Sequence, residues 1–151
     1  MAEIYVDADA CPVKEEAARV AKRYGLSVTY VSNSGMRIPE QDGAALVLVE
    51  GHCDAADDWI AEHVSKNDIV ATADIPLAYR CVKAGARVLD FTGRILSEAN
   101  IGEVLATRDL MRELRDAGTL TGGGPPAFQK QDRSRFCHTL DQIIQNIKRA
   151  S

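Results

Sequence analysis

The chain is 151 residues long, 46% hydrophobic and 26% charged, a composition ordinary for a soluble globular protein and unlike a disordered or fibrous one. That length suits one domain over residues 1–151, large enough to cover both faces of a β-sheet and too small for a second core. No apolar run approaches the roughly 20 residues that span a bilayer, and the amino terminus lacks the basic-then-apolar order of a signal peptide, so a cytoplasmic protein without a membrane partner is expected.

The net charge of −4 argues against a nucleic-acid partner until its distribution is considered. Residues 1–104 carry 10 Lys and Arg against 17 Asp and Glu, net −7, whereas residues 105–151 carry 8 against 5, net +3. The basic part centres on a loop and helix at 118–149. Such a split suits an acidic metal site beside a phosphate-binding tail, and mild basicity equally suits a solvated helix face. Cys11, Cys53, Cys81 and Cys137 contain no C-x-x-C pair, so free thiols are expected. Zinc held by His52-Cys53 and Cys137-His138 is disfavoured, because adjacent ligands point apart on any regular element.

In chain order, Ile4-Tyr5-Val6-Asp7 reads as an apolar strand ending in a carboxylate. Val13, Ala17, Val20, Ala21 and Tyr24 then follow helical spacing up to a stop at Gly25. A second strand at 26–31 completes a right-handed βαβ unit. Residues 33–43, with Ser-Asn-Ser-Gly, Pro39 and Gly43, form a loop leading to a third strand at 45–49. A helix at 54–64 carries Asp54, Asp57 and Asp58 in its first turns, where the helix dipole favours acids but their mutual repulsion would be relieved by a cation. A fourth strand at 69–73 ends in Asp74, and a helix through 77–83 follows with Pro76 near its start, so Asp74 is either its N-cap or a site acid. A fifth strand at 86–89 ends in Asp90. A helix at 100–116 precedes the loop 121–126, Thr-Gly-Gly-Gly-Pro-Pro, which suits a lid but lacks the Lys-Ser/Thr of a phosphate-binding P-loop. The last helix, 132–149, buries Phe136, Leu140, Ile143, Ile144 and Ile147 and opens with Arg133 and Arg135.

This order predicts an α/β fold whose mainly parallel, five-stranded sheet has strand order 3-2-1-4-5, with helices on both faces. Strands one and four are then neighbours at the switch point, and Asp7 and Asp74 emerge about 5 Å apart at the carboxyl edge. Two such carboxylates, with Asp9 and the Asp54, Asp57 and Asp58 turn nearby, repel unless protonated or bridged by a hard cation such as Mg²⁺ or Mn²⁺. A metal-activated water there would suit phosphodiester hydrolysis. Asp9 has two readings, a cap for the helix that follows or an accessory ligand.

The motifs Val-Asp-Ala-Asp-Ala-Cys-Pro at 6–12, Ala-Asp-Asp-Trp-Ile at 56–60, Thr-Ala-Asp-Ile-Pro-Leu-Ala at 72–78, Arg-Asp-Leu-Met at 108–111 and Thr-Gly-Gly-Gly-Pro-Pro at 121–126 resemble the YaiI/YqxD family over nearly the whole chain. That bacterial family is functionally uncharacterised and is similar to the PIN-like nucleases, whose strand-end acids bind divalent metal. The resemblance implies a three-layer, Rossmann-like PIN domain. It also implies catalytic roles for Asp7, Asp57 and Asp74, with Asp9 and Asp90 as weaker, accessory metal ligands.

Three functions compete. The first is a nuclease in which Asp7, Asp57 and Asp74 hold Mg²⁺ or Mn²⁺ and Arg133 and Arg135 steer the phosphates of a nucleic acid, RNA being favoured. The second is a haloacid-dehalogenase-like phosphohydrolase with Asp7 as nucleophile, Asp9 as general acid and Ser32 after the second strand. The third is a non-catalytic module of the same fold that holds nucleic acid or a protein partner.

Overall fold

Strand β1 (Ile4–Asp7) lies between two parallel neighbours, and its first three residues are buried, which is why an uninterrupted apolar run suits it. A computed structural model describes residues 2–52, 54–118 and 127–150. Around β1 the sheet order is β3-β2-β1-β4-β5-β6, with β2 (Val28–Ser32), β3 (Ala44–Leu48), β4 (Ile69–Ala71), β5 (Arg87–Leu89) and β6 (Ile95–Leu96). The first five strands are parallel and take the expected order. The sixth runs antiparallel beside β5 and was not anticipated. It is two residues long, and Asp90 and Gly93 supply its turn: Asp90 Oδ1 accepts from the Thr92 and Arg94 amides at 2.9 and 3.0 Å and from Thr92 Oγ1 at 2.7 Å.

Two helical layers cover the sheet. On one face α1 (Lys14–Tyr24) and α5 (Lys130–Ala150) pack over Ile4, Val6, Val28 and Tyr30, with Phe136, Leu140 and Ile144 of α5 all but fully buried. On the other, α2 (Ala55–His63) and α3 (Ile75–Lys83) cover Tyr5, Val31, Val70 and Val88, and α4 (Ile101–Asp116) packs on α3. Burying each large side chain contributes roughly 1.5–3 kcal/mol, so this alternation of faces along β1 fixes the register strongly. Helix α1 ends where Gly25 takes φ 66°, a left-handed conformation in which its amide reaches the Ala21 and Lys22 carbonyls.

The crossover at 33–43 contains neither helix nor strand, as expected, and runs beside α1. Among the described residues no helix is long and apolar enough to cross a membrane. The segment 121–126, expected to suit a lid, and Cys53, for which a zinc role is disfavoured, lie outside the described residues. Cys11 and Cys81 are buried free thiols, and Cys137 is a partly buried one.

Candidate functional site

Strand alternation decides the direction of Asp7. Ile4 and Val6 face the α1/α5 layer and Tyr5 the opposite one, so Asp7 projects on the Tyr5 side, where α2 and α3 begin. The parallel register pairs Val6 with Ala71, which brings Thr72 beside Asp7. Thr72 is fully buried, and its hydroxyl donates to Asp7 Oδ2 at 2.8 Å while accepting the Asp74 amide at 3.0 Å. One side chain thus ties the acid at the end of β1 to the acid after β4.

Asp74 is indeed the N-cap of α3: its Oδ1 accepts from the Leu77 amide at 3.0 Å, with Pro76 in the first turn. It also meets Asp57. Burial first, then the charges of Asp74 and Asp7, a hydrogen bond to Asp74 and the charge of Asp54 push the Asp57 carboxyl from 3.8 up to about 7. Asp7 is pushed up to about 6, by burial above all; the Thr72 hydrogen bond pulls the other way, and the charges of Asp74 and Asp9 add to the rise. Asp7, Asp57 and Asp74 therefore converge as a half-buried, mutually repelling set at the switch point between β1 and β4.

Such a set, made of carboxylate oxygens alone, matches the preference of Mg²⁺ or Mn²⁺, and a cation would offset the mutual repulsion that adds to burial in raising Asp7 and Asp57. It is not a preformed cage: among the described residues no three or more His, Cys, Asp or Glu side chains already stand close enough to hold an ion. The carboxylates would have to turn onto one.

The other expected site residues are otherwise engaged. Asp9 does not cap α1, whose N-cap is Val13, without a side-chain cap bond. Instead Asp9 ties down the start of the crossover, accepting from Ser32 Oγ at 2.6 Å, the Asn33 amide at 2.9 Å and Ser34 Oγ at 3.4 Å. Local geometry favours this: the chain turns sharply at Ala10, with φ 62°, before α1 begins. Ser32 is fully buried, its hydroxyl 2.6 Å from both Asp9 and the Ser34 carbonyl, so an Asp9 general acid for phosphatase chemistry is already committed at both oxygens. Asp90 builds the β5–β6 turn. Asp58 pairs with Arg80 at 2.8 Å and His52 at 3.5 Å, away from the cluster, and Asp54, at the α2 N-cap, makes no capping bond. Arg133 donates to the Pro12 carbonyl, pairs with buried Glu16 at 3.3 Å and lies 5.1 Å from the Phe128 ring; Arg135 pairs with Asp132 at 3.2 Å. Neither guanidinium is without an internal partner.

Two residues that sequence reasoning passed over hold the site together. Thr72 carried a signal, a hydroxyl in an apolar strand end two positions before an acid, a spacing at which Thr bonds the following backbone. Asn33 was visible only as a loop residue. Its amide donates to Asp9 and its Oδ1 accepts the Ala56 amide at 3.1 Å, so it fixes the first turn of α2, and with it Asp57, against the end of β2.

The model of a bacterial family described as "Uncharacterized BCR, YaiI/YqxD family" matches residues 5–146. The chain belongs to the YaiI/YqxD family. It is 55% identical over 149 residues to a "UPF0178 protein" of Parvibaculum lavamentivorans, covering 99% of this chain and 97% of that one. It is also 53% identical over 147 residues to one of Nitrobacter winogradskyi, covering 97% and 93%. A third, from Azorhizobium caulinodans, is 55% identical over 147 residues, covering 97% and 92%. No solved structure matches the chain. The YaiI/YqxD match takes in Asp7, Asn33, Asp57, Thr72 and Asp74, so the whole carboxylate cluster and both side chains that hold it lie within the family's span.

Proposed function

We propose that this YaiI/YqxD protein is a divalent-metal-dependent nuclease of the PIN-like kind, acting in the cytoplasm on the phosphodiester bonds of RNA or DNA. The observation that carries the reading is the convergence of Asp7, Asp57 and Asp74, drawn from three separate elements, with Asp57 pushed up to about 7 and Asp7 to about 6 by burial and by one another's charges. Perturbed acids gathered in this way at the carboxyl edge of a parallel sheet, where open α/β sheets bind ligands, are what a functional site requires. The three carboxylates would hold Mg²⁺ or Mn²⁺, and the ion would supply an acidified water and a counter-charge for the phosphate. Thr72 keeps Asp7 aimed and partly ionised, and Asn33 keeps Asp57 against its partners.

The test is Mn²⁺-dependent cleavage of single-stranded RNA and DNA by the intact chain. Alanine at Asp7 or Asp74 should cost more than the 10–100-fold typical of an outer-shell substitution around a metal. Cleavage that survives both substitutions would overturn the reading. Nucleic-acid binding without any metal-dependent cleavage would instead leave a non-catalytic module.

A further inference from the structure

Because the crossover at 33–43 has no helix, it leaves an open groove of about 870 Å³ between itself and α1. Ala18, Arg19 and Lys22 follow one face of α1 and form one wall; Arg37, Ile38 and Pro39 form the other. Both walls leave the carboxyl edge of the sheet, on the α1 face, opposite the face on which Asp7 projects. Helix α1 begins just after the loop that leaves β1, and the crossover leaves β2 through Ser32, Asn33 and Ser34, which are hydrogen-bonded to Asp9.

The charges along this groove differ from those at the start of α5. Arg133 and Arg135 are paired with Glu16 and Asp132, whereas Arg19, Lys22 and Arg37 are exposed and make no ion pair among the described residues. Among the described residues Arg19 has only the Cys137 sulfur, 3.7 Å away. We propose that this groove is the track from which a single-stranded nucleic acid crosses the carboxyl edge of the sheet to reach the carboxylates, its phosphates on Arg19, Lys22 and Arg37 and its bases or sugars against Ala18, Ile38 and Pro39 of the two walls. The proposal rests on the nuclease reading for what lies at the end of the track, and it moves the phosphate contacts from Arg133 and Arg135 to α1 and the crossover. Glu15 and Glu40 also line the groove, so three cations stand against two carboxylates. With one net positive charge the groove binds weakly and salt-sensitively, as a path to a site rather than as a clamp.

The test is fluorescence anisotropy of labelled single-stranded RNA and DNA oligonucleotides with the full chain and EDTA, so that no cleavage intervenes, over a series of salt concentrations. The double variant Lys22→Ala/Arg37→Ala should bind at least about 5-fold more weakly, and its log affinity against log salt should flatten by about 1.4, the loss of two phosphate contacts on a single strand. The variant Arg112→Ala/Arg115→Ala, which removes the same charge from exposed positions on α4, should bind as the parent does. Equal weakening by both double variants, no change in the groove variant, or no binding by the parent overturns the proposal. The two readings fail separately. Binding through the groove without Mn²⁺-dependent cleavage removes the nuclease and leaves the track, whereas cleavage untouched in the groove variant removes the track alone.

Discussion

Thr72 has a single hydroxyl proton and gives it to Asp7. In Thr72→Val the half-buried carboxylate loses that donor and the Asp74 amide loses its acceptor, a cost of about 1–3 kcal/mol when Asp7 is ionised. The loss should shrink as pH falls through about 6, where Asp7 takes up its own proton; chemical denaturation at about pH 8 and about pH 5 measures the difference. A wider pH effect follows from Asp7 and Asp57 together. Both bind protons more tightly in the folded chain than at their ordinary 3.8, so the folded state holds more protons between about 4 and 7 and stability falls as pH rises across that window. Asp57→Asn should therefore flatten the melting temperature against pH. Solvent reaching Asp57 screens the repulsion, so the gain at about pH 8 is on the order of 1 kcal/mol. A variant less stable than the parent at that pH would show that the carboxylates do not repel as described. Catalysis has the opposite sign: if ionised carboxylates hold the metal, cleavage should rise with pH through about 6 to 7.

Two contacts decide how elements sit. Asn33 joins the end of β2 to the first turn of α2, and Asn33→Ala should cost about 1 kcal/mol and speed hydrogen exchange at the Ala56 amide, while the amides of β1 and β4 stay protected. Unchanged exchange at Ala56 would mean that α2 is placed by packing alone. At the far side of the sheet the β5–β6 turn meets α5 without a gap: Gly93 has φ 88°, a Cβ there would stand 2.7 Å from the Arg135 carbonyl carbon, and Thr139 Oγ1 donates to the Gly93 carbonyl at 2.7 Å. Gly93→Ala should cost about 3 kcal/mol, from the left-handed backbone and the displaced helix, read by thermal denaturation. These elements differ in how plainly the sequence announces them. β1 and α5 follow from hydrophobic periodicity, since a strand buried on both faces and a helix with one apolar stripe leave distinct patterns. β6 does not, because two residues carry no period and its existence depends on a turn that Asp90 organises.

For the whole molecule, parallel order and right-handed crossover bring Asp7 and Asp74 together, and that much follows from the succession of strands and helices. Which further acids join them does not follow, since Asp9 and Asp90 also stand at strand ends yet bond neighbouring backbone, while Asp57 and Asp58 are adjacent in sequence and point to different partners. The same holds for charge. The basic tail is visible in composition, but Glu16 and Asp132 already pair with its arginines, and pairing across elements leaves no trace in a sequence. If Asp7, Asp57 and Asp74 form one divalent-cation site, isothermal titration with Mn²⁺ at about pH 6.5, in two buffers of different ionisation enthalpy, will show it. At that pH the raised carboxyls of the set together hold roughly one proton, so one saturable site is expected whose filling releases about that proton, both lost in Asp57→Asn. No saturable heat at millimolar Mn²⁺, or binding and proton release unaltered in Asp57→Asn, would contradict it.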